Sequence, residues 1–566
     1  MRILLSALLL LATALPAIAK DGEHDAVFKA MTDELDRSMT KLELKGHPKP
    51  YYVSYLVREY DARNMSASFG AITDNTQNHM RDLNCDVRIG DYKQDSSAAS
   101  AGRFAGLFGG ESSLSVDDNY DALRRELWLQ TDSAYKKAIE RMKAIEIYLK
   151  QHTIEDKPDS FAREKPTVHI EPLSHVEFDT AKWEDELRTA SAVFRDYPDL
   201  SSSRADVVVA GEDRWFLNSE GFRYRMGESG FLAYLSAQAM APDGMRLTDD
   251  EMMPAWHEKE LPSTDQLKES ARALAERLKK LAAAPIVSNY RGPVMFEGQA
   301  GGEFFHQLLD AKLAANAGGI RIGGGGGDMQ ERLGERFLPK FISVIDDPTA
   351  KEYNGVTLFG NYEVDDEGVE GQKITLIEKG LLKTLCIGRT PTRTIKQSNG
   401  HFKNGSAVTS NVFIESENKL SPAALKARLI ELGKEDGLKE VYIVRKLISN
   451  PVESGATMIQ SLLKAIASGG GDATLYPPVM IYKVSTEDGH EELCRGASFA
   501  NVSMRVLRDI EATGDDTKAY PVIGQGNSVT SIVAPSVVVK EIEIQRPERT
   551  TSKGPVLKNP YFDKDQ

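Results

Sequence analysis

Four polar residues in one short segment carry the clearest chemical signal in the chain. In FEGQAGGEFFHQLLDAKL, Phe296 to Leu313, the residues Glu303, His306, Gln307 and Asp310 fall within one arc of a helical wheel, opposite Phe304, Phe305, Leu308 and Leu309. A histidine and a carboxylate four residues apart stack on one helix face and can ligate a single metal ion. Catalytic zinc needs three protein ligands, an open position for water and a general base. This helix supplies two ligands, His306 and Asp310. Gln307 cannot serve as the base, because an amide does not titrate. The competing reading is an ordinary solvated or interface face.

Other residues could extend such a site. Asp365, Asp366 and Glu367 cluster in DDEGV, and His401 follows the loop SNG. Against a metal role stand structural ones: Gly368 permits a tight turn, acidic side chains cap helices or pair with arginine, and His401 reads as a surface-loop histidine. The run IRIGGGGGDMQERLG has five consecutive glycines but no Lys-Ser or Lys-Thr after them, so it reads as a flexible loop or a flap rather than a phosphate cradle. No G-x-S-x-G elbow appears. The aromatic segment DRWFLNSEGFRYR suits core packing or the lining of a peptide groove. Cys85, Cys386 and Cys494 lie far apart without a CxxC pair, and read as buried small apolar side chains whose redox state is open.

The elements that must position these residues alternate in type. YYVSYLVREY and CDVRIGDY read as strands, DALRRELWLQTDSAYKKAIERMKAIEIYLK as a helix, and DSSAASAGRFAGLFGGESS as a mobile loop. A proline-spaced linker, KPDSFAREKPTVHIEP, leads to two adjacent strands in ADVVVAGEDRWFLNSEG and RYRMGESGFLAYLSAQAMA. Ser263 and Gln266 fit a capping box, and Leu267, Leu274, Leu278 and Leu281 share one face of the helix that Pro285 stops.

The later half supplies FISVIDDP, VTLFGNYEVDDEGV, QKITLIEKGLLKTLCIG, ATLYPPVMIYKVS and SVVVKEIEIQ as strands. SPAALKARLIELGKE and TMIQSLLKAIAS read as helices. Lys379-Gly380 sits at a tight hairpin turn. The expected fold class is α+β in two domains. Residues 20–287 form the first, in two segments of about 20–152 and 165–287, and residues 288–546 form the second, with 547–566 as a loose tail.

A chain of 566 residues with 41% apolar and 27% charged residues has ample core material. MRILLSALLLLATALPAIA, residues 1–19, has the basic start, apolar run and small-x-small end of a cleaved secretory signal, and the apolar run is shorter than the roughly 20 residues needed to span a bilayer. Export to the periplasm or the medium follows as an expectation, with no membrane association after cleavage. The formal net charge of -14, without a basic stripe, argues against nucleic acid as a partner.

PVMFEGQAGGEFFHQLLD, FISVIDDPTAKEYNG, YEVDDEGVEGQKITLIEKGLLKTL, RGASFANVSMRVLRDIEATGDD and GQGNSVTSIVAPSVVV together resemble the TldD/PmbA family. The resemblance implies a two-domain protein with an N-terminal α/β sandwich-type domain and a C-terminal mixed, strand-rich domain that carries a zinc peptidase site. It also implies pairing into homo- or heterodimers around a shared cavity that takes peptides. Catalytic members carry His-Glu-x-x-x-His in this helix and a late cysteine. Carried across, the first histidine falls on His306, the glutamate on Gln307 and the second histidine on Ala311, and Ala519 to Val539 contains no cysteine. The departure resembles the PmbA-type subunits, which lack the motif and accompany a catalytic partner. Two expectations follow. The favoured one is a peptide-binding or partner subunit without the usual zinc, and the alternative is an active metallopeptidase with an unusual ligand set around His306 and Asp310.

Overall fold

The structure is a computed structural model, described for residues 25–97, 112–152, 156–174, 176–315, 329–449, 475–500, 502–524 and 528–546. The signal segment, most of the first glycine-rich loop, the five-glycine run, the expected helix TMIQSLLKAIAS and the tail all lie outside these residues.

The first sheet takes all its strands from the earlier part of the chain. Pro50–Ser68 pairs antiparallel with Ala71–Ile89 on one side and Leu200–Asn218 on the other, and Leu200–Asn218 in turn pairs with Arg223–Met240. Ser112–Leu114, Val168–Ile170 and Arg246–Ala255 complete the seven strands. Alternation decides which face is covered: Ala205, Val207 and Val209 are buried at every second position. They meet Trp183 and Leu187 of the helix Thr180–Ala192 and Leu274 of the helix Thr264–Ala283. The latter starts at the expected capping box, with Ser263 and Gln266 bonded reciprocally, and buries Leu267, Leu274, Leu278 and Leu281. Each such leucine contributes about 1.5–3 kcal/mol through burial. A second core forms where Ala26–Lys41 and Tyr120–Gln151 cover Tyr55, Leu83 and Val87.

Two large sheets and two small two-stranded ones come from the later part. The six-stranded one runs Leu381–Leu382, Ile374–Glu378, Ile342–Asp346, Asn411–Ser416, Val529–Ala534, Lys518–Ile523. The eight-stranded one centres on Tyr290–Phe296, which lies between Val537–Gln545 and Glu440–Leu447. The motif helix, Gln299–Leu309, is clamped between these two sheets, against Glu440–Leu447 of one and Val529–Ala534 of the other. This mixed, strand-rich architecture is the expected α+β class. The hairpin turn falls at Lys379-Gly380, with φ of 46° and 79°, the double positive φ of a type I′ turn. A Cβ at Gly380 would lie 2.0 Å from the Leu338 carbonyl oxygen.

Three expectations need correction. VTLFGNYEVDDEGV forms a strand only at Val356–Thr357. Beyond it, Asp365 Oδ1 accepts from the amides of Glu367 and Val369 at 2.9 Å each, a side-chain turn that competes with ladder pairing. CDVRIGDY is the end of a 19-residue strand that stops at Ile89. The proline-spaced stretch is no free linker: Phe161 and Ala162 are buried, and Ala162 N–H donates to the Arg389 carbonyl at 2.7 Å. Among the described residues, no helix is long and apolar enough to cross a membrane.

Candidate functional site

The motif helix presents its polar arc not to solvent but to the seam between the two later sheets. Its apolar side, with Phe304, Phe305, Leu308 and Leu309, is fully buried. Gly301 allows the close approach this requires, since a Cβ there would sit 2.7 Å from the Pro535 carbonyl oxygen. On the polar side Glu303 is 1% exposed and Asp310 9%. The solvated face read from the sequence is therefore a buried one.

Three of the four residues of the arc, Glu303, His306 and Gln307, make side-chain hydrogen bonds. Gln307 Nε2 donates to Glu303 Oε2 at 2.9 Å and to the Ile448 carbonyl at 3.0 Å, while its Oε1 accepts from Tyr476 N–H at 2.8 Å. Glu303 Oε1 has no hydrogen-bond partner among the described residues, and burial pushes the Glu303 carboxyl above its usual range. His306 Nε2 lies 3.1 Å from the Ile523 carbonyl oxygen, which only accepts, so this nitrogen carries the proton. The free Nδ1 then faces Asp310 Oδ2 at 3.9 Å. Burial lifts the Asp310 carboxyl to about 6, with His306 opposing the shift and Asp346 adding to it. His306 and Asp310 also line a narrow cavity with Val412, Val522 and Ser531.

A second constellation lies beside the end of this helix. Cys386 N–H donates to the Leu313 carbonyl at 2.8 Å, and its own carbonyl accepts from Ala315 N–H at 2.7 Å, so the backbone holds the cysteine against the segment that leaves the helix. Asp346 ends the strand Ile342–Asp346. His401 follows Gly400, whose φ is +71° and whose absent Cβ leaves room for the Glu370 carbonyl oxygen. Asp346, Cys386 and His401 are all 0% exposed, and one ligand atom from each lies within 4.8 Å of the others. His401, read as a surface-loop residue, is thus fully buried.

The acidic motif lies apart from both and has a different character. Asp366 is reached by Arg58 at 3.4 Å and Arg214 at 3.7 Å from the first sheet, and by Lys403 at 3.4 Å. Burial works to raise its carboxyl, but Lys403, Arg214 and Arg58 outweigh that and hold it below the usual carboxylate range. Asp365 folds the turn, and burial together with Glu367 pushes its own carboxyl well up. Glu367 Oε2 accepts from Arg389 N–H at 2.5 Å. Gly368, at φ +82°, closes the turn against Phe222. Arginine pairing and a tight turn, not metal binding, describe this motif. The aromatic segment is core as well: Trp215, Phe216, Phe222 and Tyr224 are all at most 3% exposed.

Sequence reasoning named His306, Asp310 and His401 but missed Asp346 and Cys386. Asp346 stood in plain view in FISVIDDP, and Cys386 looked like a small buried apolar residue. No spacing rule joins residues 346, 386 and 401, so no periodicity could have found the set.

Residues 289–466 match the PmbA/TldA metallopeptidase C-terminal domain. The fold is similar to a Thermotoga maritima protein described as a modulator of a DNA gyrase, with a TM-score of 0.60 and 14% identity over 91% of this chain and 100% of that one. TldE from Thermococcus kodakarensis gives a TM-score of 0.55 and 13% identity over 91% and 100%. Among curated sequences, a Methanocaldococcus jannaschii protein named metalloprotease is 27% identical over 252 residues, 43% of this chain and 49% of that protein. A metalloprotease of Methanothermobacter thermautotrophicus is 27% identical over 193 residues, 34% and 38% of the two chains. The matches thus span less than half the length of these relatives. The C-terminal domain match, the curated relatives and the fold together support the TldD/PmbA family for this chain.

Proposed function

We propose that this protein is an exported member of the family that serves as a peptide-binding or partner subunit in proteolysis rather than as a zinc peptidase of the usual kind. One observation carries the reading. The residue at the family's general-base position, Gln307, spends both ends of its amide on Glu303, Ile448 and Tyr476. It works as a structural pin between the motif helix and its neighbours. The donor set on this helix does not fit the ordinary zinc site: Gln307 and Ala311 stand where the resemblance places the base and the second histidine, and the late segment has no cysteine. No hydrolytic step is derived through such an ion. What these residues do is tie the helix into the seam between the two later sheets. The likeness to TldE agrees with a subunit role, and the first residues of the chain agree with a periplasmic or secreted location.

The second reading, a peptidase with a rebuilt site, rests on His306 Nδ1 and Asp310 Oδ2 facing each other at 3.9 Å, a spacing that admits one ion bound by both. A single experiment separates the two. Purified protein is assayed against a peptide library alongside His306→Ala. The proposal expects no cleavage that depends on His306, and cleavage by the wild type that vanishes in His306→Ala establishes the second reading instead. Capture of a family member bearing the full His-Glu-x-x-x-His motif, with restored cleavage in the mixture, would support the partner role directly.

A further inference from the structure

Hydrogen bonding around His401 decides which of its nitrogens is free. Nδ1 lies 2.8 Å from the Asn399 carbonyl and 3.0 Å from Asn399 Oδ1, both acceptors, so the proton sits on Nδ1. Asn399 cannot turn to offer its amide instead, because its Oδ1 accepts from Ile387 N–H at 2.9 Å and its Nδ2 donates to the Leu385 carbonyl at 2.9 Å. Nε2 is left as a lone pair, yet it points at Asp346 Oδ1 at 2.9 Å. Two lone pairs at that distance, with no exposure to water, require either a proton between them, on the imidazole or on the carboxyl, or a cation between the groups.

The surroundings favour the cation. Asp346 is already oriented by Ser410, whose N–H donates to Oδ2 at 2.8 Å and whose hydroxyl donates to Oδ1. Cys386 brings a sulfur into the same space, within 4.8 Å of the ligand atoms of Asp346 and His401. The other two thiols hydrogen-bond elsewhere: Cys85 donates to Thr131 Oγ1 at 3.8 Å and Cys494 to the Glu492 carbonyl at 3.6 Å. A metal-ligating histidine almost always gives its second N–H to a carbonyl or carboxylate, as His401 does to Asn399, and a ligating carboxylate is likewise held by outer hydrogen bonds.

We propose that Asp346, Cys386 and His401 form a buried site for a divalent cation of the zinc class, bound through a carboxylate oxygen, the thiolate sulfur and imidazole Nε2. One sulfur, one imidazole nitrogen and one carboxylate oxygen suit zinc, whereas magnesium and calcium take oxygen ligands. Thiolate and carboxylate together carry two negative charges, which match a dication and leave the buried centre neutral. Binding is proton-coupled and without redox change: the Cys386 thiol proton leaves to solvent as the metal–sulfur bond forms. Because all three ligands are sealed from solvent, the site is a structural one. It pins the end of the motif helix, the strand Ile342–Asp346 and the His401 loop to one another, whether or not the chain cleaves peptides.

Cobalt(II) is the probe. The full chain, stripped with a chelator and dialysed, is titrated with Co2+ and followed by absorption. The expected result is one equivalent bound, with a thiolate-to-cobalt charge-transfer band and the visible bands of a tetrahedral centre, all bleached by added zinc. Cys386→Ser should lose the charge-transfer band, while His306→Ala and Cys85→Ser should keep it. No uptake, uptake without the thiolate band, or a band that survives in Cys386→Ser would overturn the proposal. Should Cys386→Ser fail to fold, X-ray absorption of the zinc-loaded wild type decides alone: a shell with one sulfur upholds the site, and a sulfur-free shell refutes it. The peptide assay reads His306 and this titration reads Cys386, so failure of one is distinguishable from failure of the other.

Discussion

Asp366 and Asp346 are both buried carboxylates beside basic groups, yet their surroundings solve the burial of charge in opposite ways. Asp366 faces three side chains that carry permanent or firmly held protons, Arg58, Arg214 and Lys403, and their combined positive charge keeps it ionised. Asp346 faces a histidine nitrogen left as a lone pair and, within 4.8 Å, the Cys386 sulfur. The first arrangement supplies its own counter-charge and ties the first sheet to the acidic turn. The second is complete only with an added proton or an added cation. A surplus of protonated donors marks a structural lock, and a convergence of lone pairs marks a ligand site.

The largest effect should come from breaking the lock. Asp366→Ala removes the carboxylate that Arg58, Arg214 and Lys403 share, leaving the two arginines to Glu212 and Glu228 and Lys403 without its carboxylate, and is expected to destabilise the protein by about 3 kcal/mol in denaturant unfolding. A loss below about 1 kcal/mol would mean that water reaches these groups, and the contrast with Asp346 would fall.

Metal should act next. At free zinc a hundredfold above Kd, chelator-stripped wild type is expected to gain about 2.7 kcal/mol, read as a rise in Tm that Cys386→Ser does not show. Equal rises in both would place the stabilising ion elsewhere.

Asp250 sharpens the comparison from a third position, a carboxylate with too little positive charge nearby. Burial raises its pKa from 3.8 to about 6, and Asp249, Glu251 and Glu303 add to the shift against the opposition of Lys446. An acid whose folded pKa is raised costs nothing below pH 3.8, where both states are protonated, and its penalty grows until the pH passes about 6. Asp250→Asn should therefore be more stable than wild type at pH 7.5 by about 2 kcal/mol, with the gain gone below about pH 4. A gain that persists in acid would show that ionisation is not its source.

The smallest effect belongs to exposed charge. Lys136 pairs with Asp132 at 2.6 Å while 60% exposed, and Lys136→Ala should leave the unfolding midpoint unchanged within error. A measurable loss there would undercut the argument that burial, not pairing, sets the stakes.

Much of the fold was legible because it depends on local periodicity. The capping box at Ser263 and Gln266, the leucine stripe from Leu267 to Leu281 and the Lys379-Gly380 turn each follow from a few consecutive side chains, and each stands where the pattern puts it. The strand expected across VTLFGNYEVDDEGV was not found, because Asp365 binds its neighbours' amides, and alternation alone carries no sign of that competition. His306 and Asp310 were visible as an i, i+4 pair, but the burial of their face was not, since it depends on the sheets that clamp the helix.

The sequence by itself determined which helices and most of which strands form, the family resemblance, and the absence of a titratable group at position 307. These are properties of residue type and short-range spacing. Only the tertiary structure decided that Asp346, Cys386 and His401 meet, that Asn399 fixes the His401 proton on Nδ1, and that Asp366 is a lock. The physical reason is common to all three. Charge and ligand geometry depend on neighbours tens or hundreds of residues away in the chain, and Asn399, two residues from His401, is itself oriented by Leu385 and Ile387; burial multiplies the energy of getting those neighbours right.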